Sequence, residues 1–249
     1  MLPEIPEPAH LKAQRLNEFY GEADAARIIA VSLQEFGTGL AAVSSFGADS
    51  AILLHLIAQV QPSLPVLFLQ TNKHFTATLR YQAQLVQELG LTDVRDLLPD
   101  VSALKTHDPL GALCLTDKDR CCDLRKTQPL ALGVAPFQAW FTGRKQSQAA
   151  TRNSLPAFEA VGQHIRINPL KDWGTEQLEA YREAHHLPPH PLVEQGYRSI
   201  GCMPCTRAVS DGEDQRAGRW AGSVKTECGI HLNGLEQHLQ HNGIKGAGA

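Results

Sequence analysis

The sequence predicts an α/β protein, a mostly parallel, twisted sheet with helices on both faces. Two patterns carry this. Short apolar runs bounded by turn signals read as buried strands, and between them apolar residues recur at helical spacings of three and four. Leu11, Leu16, Phe19, Ile28, Ile29, Val31, Leu33 and Phe36 form one such stripe, so residues 1–37 are expected to be a helical preamble of one or two amphipathic helices. Leu40 to Val43 reads as a strand, SSFGADS (44–50) as a turn, Ser50 to Val60 as a helix and Pro65 to Leu69 as a second strand, together one βαβ unit. A further helix fits Thr76 to Leu89, closed by Gly90, where a left-handed cap costs glycine little. Val94 to Leu98 fits a third strand. Apolar runs at Gln138 to Thr142 and His164 to Ile167, with helical patterns at 123–132 and 174–186, continue the alternation. From Leu187 the texture changes: PPHPLVEQGYRSIGCMPCTRAV is rich in Pro and Gly, and few apolar residues follow until Ile230 to Leu239. The final NGIKGAGA is expected to be disordered or mobile. No internal repeat is evident.

The 249 residues suffice for a substantial core, which excludes a disulfide-stapled miniprotein. Lys plus Arg number 23 against 26 Asp plus Glu, a net charge of -3, so no nucleic-acid partner is expected. The longest apolar stretches, such as Ala51 to Val60 with His55 and Gln59 inside it, fall short of the ~20 residues of a membrane span. No membrane partner is expected. MLPEIPEPAH has neither the basic start nor the apolar core of a secretory signal. A cytoplasmic, reducing location is therefore expected, where six cysteines favour metal binding or catalysis over disulfides. A homo-oligomer is compatible with the sequence.

The turn SSFGADS lies between a strand and a helix, where backbone N–H groups, hydroxyls and the helix dipole suit a phosphate, although Asp49 or Ser50 as a plain helix N-cap reads equally simply. It matches neither G-x-x-x-x-G-K-[ST] nor G-x-G-x-x-G. Cys121 and Cys122 are adjacent, and Cys202-Met203-Pro204-Cys205 is a C-x-x-C; four thiolates suit zinc or an iron–sulfur cluster, and the adjacent pair favours the cluster. Cys228 lies apart in KTECGIH, with Lys225 and His231 close in sequence, the setting of a low-pKa nucleophile. Cys114 reads as an inert, half-buried thiol. Basic residues cluster at Arg125 and Lys126, at Gly143-Arg144-Lys145 with Arg152, and at Arg207, Arg216 and Arg219. The second group follows a strand, at the sheet edge where open α/β folds bind ligands. His185, His186 and His190 read as surface or loop residues, and no histidine pair has zinc-site spacing.

Taken together, SSFGADS, the CC pair followed by LRKTQPL, TGRK with Arg152, INPLKDW, GYRSIGCMPCTR, GRW and KTECGIH resemble the assimilatory adenylyl-sulfate reductases over roughly residues 25–232. The combination of CC, CMPC and ECGIH is the most specific part. The resemblance implies a sheet of the adenine-nucleotide α-hydrolase type, divided into a nucleotide- and cluster-binding domain, 1–208, and a mobile C-terminal segment, 209–249, that carries the catalytic cysteine. It further implies that Cys121, Cys122, Cys202 and Cys205 hold a [4Fe-4S] cluster and that Cys228, accompanied by His231, is the nucleophile. Ser44, Ser45, Phe46, Gly47, Ala48 and Asp49 would form the phosphate-side loop. Lys126, Gly143, Arg144, Lys145, Arg216 and Arg219 would line the anion pocket. The implied reaction, in sulfate assimilation toward cysteine, reduces adenosine 5′-phosphosulfate to sulfite and AMP through a cysteine S-sulfonate that thioredoxin resolves. The four cysteines point to the substrate without a 3′-phosphate, since the sibling branch that uses the 3′-phosphorylated nucleotide typically lacks them. Departures from the family pattern are Asp49-Ser50, Gln70-Thr71-Asn72-Lys73 in place of Asp-Thr-Gly, and Lys145-Gln146 in place of a more basic run.

Two other readings compete. An ATP-dependent tRNA-thiolating or adenylating enzyme with a cluster would share the fold, but its SGG-x-DS loop has a small residue where Phe46 stands, and Phe46 is expected to leave less room for pyrophosphate. A non-catalytic sensor would leave Cys228 and the ECGIH segment without a role.

Overall fold

The computed structural model describes residues 7–148, 154–220, 230 and 234–245. Its centre is a six-stranded sheet in the order β3-β2-β1-β4-β6-β5, made of β1 (Leu40–Ser44), β2 (Val66–Leu69), β3 (Val94–Leu97), β4 (Ala139–Phe141), β5 (Phe158–Val161) and β6 (His164–Ile167). Every pairing is parallel except β5 with β6. Strand residues alternate between two cores, as the period of two in a strand demands. Leu40, Ala42, Val66, Phe68, Ala139 and Phe141 face one core, which is covered by α1 (Ala9–Tyr20), α2 (Ala25–Phe36), α3 (Ser50–Ala58), α4 (Thr76–Glu88) and α9 (Thr175–Ala184). Ala41, Leu67, Leu69 and Trp140 face the other, covered by α8 (Gln128–Val134) and α10 (Gly234–Lys245). The expectation of helices on both faces is met. No described helix is long and apolar enough to cross a membrane.

The helical preamble divides in two, because Asp24 accepts a hydrogen bond from the Arg27 N–H at 2.7 Å and starts α2 anew. Gly90 has φ +63, the left-handed conformation foreseen after α4. Three differences from the sequence reading bear on the site. The pattern at 123–132 is no single helix: α5 (Val101–His107), α6 (Leu113–Thr116) and α7 (Lys118–Cys122) lead into a wide π turn, Asp123–Thr127, before α8. Such a turn re-aims side chains, here those of Arg125 and Lys126. Strand β5 is unforeseen, and it turns back on β6 through Gly162, φ +60. Within 209–249, α10 docks Leu235 and Leu239, one turn apart, onto the core beside α8. The first four residues of NGIKGAGA close that helix, and the last four lie outside the described residues.

Candidate active site

Strand β1 has β2 on one side and β4 on the other, all parallel, so the connections leaving β1 and β4 diverge and open a crevice at the carboxyl edge. A cavity of about 430 Å³ lies there, walled by the loops after both strands. Short-range bonds fold the first loop: Ser44 Oγ accepts from the Phe46 N–H at 3.1 Å and Ser50 Oγ from the Gly47 N–H at 2.8 Å. Neither Asp49 nor Ser50 forms the side-chain cap considered above for α3. Ser44, Ser45, Gly47, Ala48 and Asp49 line the cavity. Phe46 does not. Its φ of +47 turns the ring into the core, fully buried and edge-on to Phe68 with centroids 5.2 Å apart. Its bulk therefore takes no room from a ligand, and the argument that it excludes pyrophosphate falls.

Lys126, Gly143, Arg144, Lys145, Arg216 and Arg219 all line this cavity. Arg166 and Arg198 join them, unforeseen. The three most buried cations of the cavity are held by carboxylates. Lys145, only 3% exposed, lies 2.9 Å from Asp49, which also meets Arg182 at 3.3 Å. Glu159 on β5 binds Arg144 at 2.6 Å and Arg166 at 2.6 and 3.0 Å. Burial alone would raise the Glu159 pKa, yet the two guanidinium groups hold it below the usual carboxylate range. Such a cationic wall suits the oxygens of a phosphate or sulfate ester.

Beside the cavity, a cleft of about 10 Å³ is lined by Cys121, Cys122, Cys202 and Cys205, together with Cys114, Lys73, Lys118, Arg125, Lys126 and Trp220. Lys126 and Cys202 belong to both walls. Thr71 Oγ1 lies 3.3 Å from Cys202 Sγ. The buried Arg125 guanidinium donates to Asp108 at 2.6 Å and to the Thr71 carbonyl at 3.0 Å, while its Nε–H, also buried, meets no acceptor. Burial pushes the Cys121 thiol up to about 11, and raises that of Cys205 too. All five of these cysteines are unbonded to one another. Their sulfurs and an orphaned N–H donor in the same wall fit a sulfur-rich, anionic group. Among the described residues, no three His, Cys, Asp or Glu side chains stand close enough to hold a single metal ion.

Several other expectations meet a different outcome. Cys228, His231 and Arg152 lie outside the described residues. Arg207 pairs with Glu213 at the surface, twice at 3.0 Å, away from the cavity. His190 is fully buried: it accepts from the Leu192 N–H through Nδ1 at 3.1 Å, so Nε2 carries the proton and donates it to Thr78 Oγ1, also at 3.1 Å. Thr78 and His74 line the cavity, and the sequence reading names neither; Thr71, named there only within the departure Gln70-Thr71-Asn72-Lys73, lines it too. Arg166 alone had a visible signal, a charge within the apolar run His164–Ile167.

Fold and site define a class: a nucleotide-binding α/β enzyme whose polyanion cavity adjoins a thiol-rich cleft. Residues 39–208 match the model of the phosphoadenosine phosphosulfate reductase domain. The chain is 56% identical over 229 residues to "Adenosine 5'-phosphosulfate reductase" of Mesorhizobium japonicum, covering 92% of the chain and 90% of that relative. To the protein of the same name in a Chelativorans species it is 51% identical over 233 residues, covering 93% and 95%. The chain belongs to the phosphoadenosine phosphosulfate reductase domain family. Phosphoadenylyl-sulfate reductase from Candida auris, solved as a phosphate complex, superposes with a TM-score of 0.67 at 22% identity, over 80% of this chain and 97% of that one, which shows the shared fold.

Proposed function

We propose that this chain reduces adenosine 5′-phosphosulfate to sulfite and AMP in sulfate assimilation toward cysteine, with Cys228 as nucleophile, Cys121, Cys122, Cys202 and Cys205 as ligands of a [4Fe-4S] cluster and thioredoxin as reductant. One observation carries the assignment: the anion cavity and the cysteine cleft share a wall, made by Lys126 and Cys202. Ile230 lines the cavity as well, and its carbonyl accepts from Arg166 at 3.2 Å. Cys228 is two residues before it in the chain, and two residues of extended chain span at most about 7 Å.

In this reading the Cys228 thiolate attacks the sulfate sulfur, an S–S bond forms, the S–O bond to phosphate breaks, and AMP leaves with the electron pair. Lys126, Arg144, Lys145, Arg216 and Arg219 offset the repulsion between the substrate's oxygens and the incoming thiolate, an effect worth roughly 3 kcal/mol for each well-placed donor. A thioredoxin thiolate then attacks Cys228 Sγ, sulfite leaves, and the second thioredoxin thiol resolves the mixed disulfide, so that two electrons pass from the dithiol to the substrate. His231 would accompany Cys228, and the segment 209–249 would bring this thiol to the cavity and then present it to the protein partner. When bound, the cluster would supply a fixed charge beside the substrate. Four thiols spread around one cleft suit several irons, each with one thiolate, better than one zinc ion. The unbonded cysteines favour a reducing compartment such as the cytoplasm.

The test is sulfite release by anaerobically purified protein given thioredoxin, its reductase and each nucleotide in turn. Sulfite from adenosine 5′-phosphosulfate at the higher kcat/KM is expected. A higher kcat/KM with the 3′-phosphorylated nucleotide would overturn the specificity, and no sulfite from either would overturn the activity.

A further inference from the structure

We propose that Cys114 is a reserve iron ligand of the cysteine cleft, poised to take over the iron that Cys205 holds. The inference rests on the cluster reading above. Cys114 is buried, 5% exposed, and lines the same cleft as the four cysteines of the two paired motifs. Among the described residues its hydrogen bond is a long one, from Sγ to the Gly111 carbonyl at 3.9 Å.

Its position follows from how α6 is tied down. Asp108 Oδ1 accepts from the Leu113 N–H at 2.9 Å, while Oδ2 binds Arg125 at 2.6 Å, so one carboxylate joins the start of α6 to the π turn that follows the cysteine pair. Lys73 Nζ donates to the Gly111 carbonyl at 2.7 Å and fixes the approach to α6 from the β2 side. Helix α6, which carries Cys114, thus packs against both α7, which ends in Cys121 and Cys122, and the turn Met203–Cys205. Cys205 is half-buried where the other three are buried, so an iron held by it would be the most open to solvent and to ligand loss.

A second observation marks the cleft as a site for an anionic sulfur group. Arg125, 6% exposed, keeps a buried Nε–H without an acceptor in the wall shared with Cys114. In a cubane cluster each iron takes one thiolate, and an iron that loses its thiolate accepts another donor within reach. The exchange requires no oxidant. Cys114 Sγ gives its proton to solvent as it binds iron, and Lys73 and Lys118 in the same wall favour the added thiolate.

The test measures iron, acid-labile sulfide and the visible spectrum of full-length protein purified anaerobically as wild type, Cys205→Ala, Cys114→Ala and Cys114→Ala/Cys205→Ala. Cys205→Ala should keep about half or more of the wild-type iron, with a shifted spectrum, and the double variant less than about one-tenth. Under native conditions Cys114 in the Cys205→Ala protein should resist iodoacetamide until iron is removed with EDTA. Cys205→Ala falling to the level of the double variant, or Cys114 alkylated equally fast before and after chelation, would overturn the proposal. Should the alanine variants misfold, Cys205→Ser with and without Cys114→Ala makes the same comparison. Wild-type protein without iron and sulfide would instead remove the cluster reading itself, and this inference with it.

Discussion

Acid should weaken this fold through one histidine. His190 is fully buried between α4 and the segment that follows α9, with its ring edge-on to Tyr81, centroids 4.8 Å apart. Burial depresses its pKa to about 4. The unfolded chain binds this proton near pH 6.5, so below that value protonation favours unfolding, and the stability His190 contributes is complete above 6.5 and lost as pH falls toward 4. A gap of about 2.5 units at 1.36 kcal/mol each amounts to roughly 3 kcal/mol in full, of which about 2 kcal/mol is lost between pH 7 and pH 5. Other histidines of depressed pKa, His55, His74 and His164, add to the total loss, so the comparison needs a variant. His190→Gln removes the titration and keeps an N–H donor for Thr78 Oγ1. Urea unfolding at both pH values should show the variant losing about 2 kcal/mol less than wild type. Equal losses in the two proteins would refute the reasoning.

Three further outcomes follow from the same geometry. Asp108→Ala leaves Arg125 buried and uncompensated, so unfolding should cost about 3–5 kcal/mol less, as measured by denaturant titration; burial opposes the ionised Asp108, yet Arg125 and the Leu113 N–H hold its pKa below the ordinary value, so in wild type this pair's contribution is complete above about pH 4 and lost as pH falls below it. Lys145→Met removes a nearly buried cation from the anion wall and should lower kcat/KM about 100-fold in the sulfite assay, whereas an unchanged value would place the substrate elsewhere. Cys228→Ser should still bind AMP by calorimetry but show no 80 Da sulfonate adduct, a mass set by about one SO3 unit, when intact protein is weighed after substrate is added without reductant.

What the sequence discloses, and what it hides, divides along the range of the interactions. The unit β1-α3-β2 is legible because strand and helix periods follow each other without interruption, and the loop after β1 is recognisable from its residues alone. Strand β5 is not, since Phe158–Val161 carries Glu159 at a position that reads as solvent-facing. That carboxylate is in fact half-buried and serves two guanidinium groups, one from β6 and one from the loop after β4, a role only the antiparallel pairing creates. Arg166 shows as a charge within an apolar run, but its role does not, because its strand must lie beside β4 before its side chain can reach the cavity. Phe46 shows the opposite error. A motif correctly located does not fix which way each side chain turns, and one positive φ sends this ring into the core.

The held cations of the cavity explain why its carboxylates belong there. Lys145 and Arg144 are less than one-tenth exposed, whereas their partners Asp49 and Glu159 are about 30% exposed. A buried cation without a partner is costly, by several kcal/mol, so each carboxylate serves as the counter-ion in the free protein. Being the more solvated member, it is also the one that can be screened when a substrate oxygen arrives. In the proposed reaction the cations would then need no reorganisation to meet developing charge on the leaving phosphate, which is the condition under which fixed charges act most strongly. Lys126 and Cys202 complete this arrangement, because any charge in the cysteine cleft is felt directly at the wall it shares with the anion cavity.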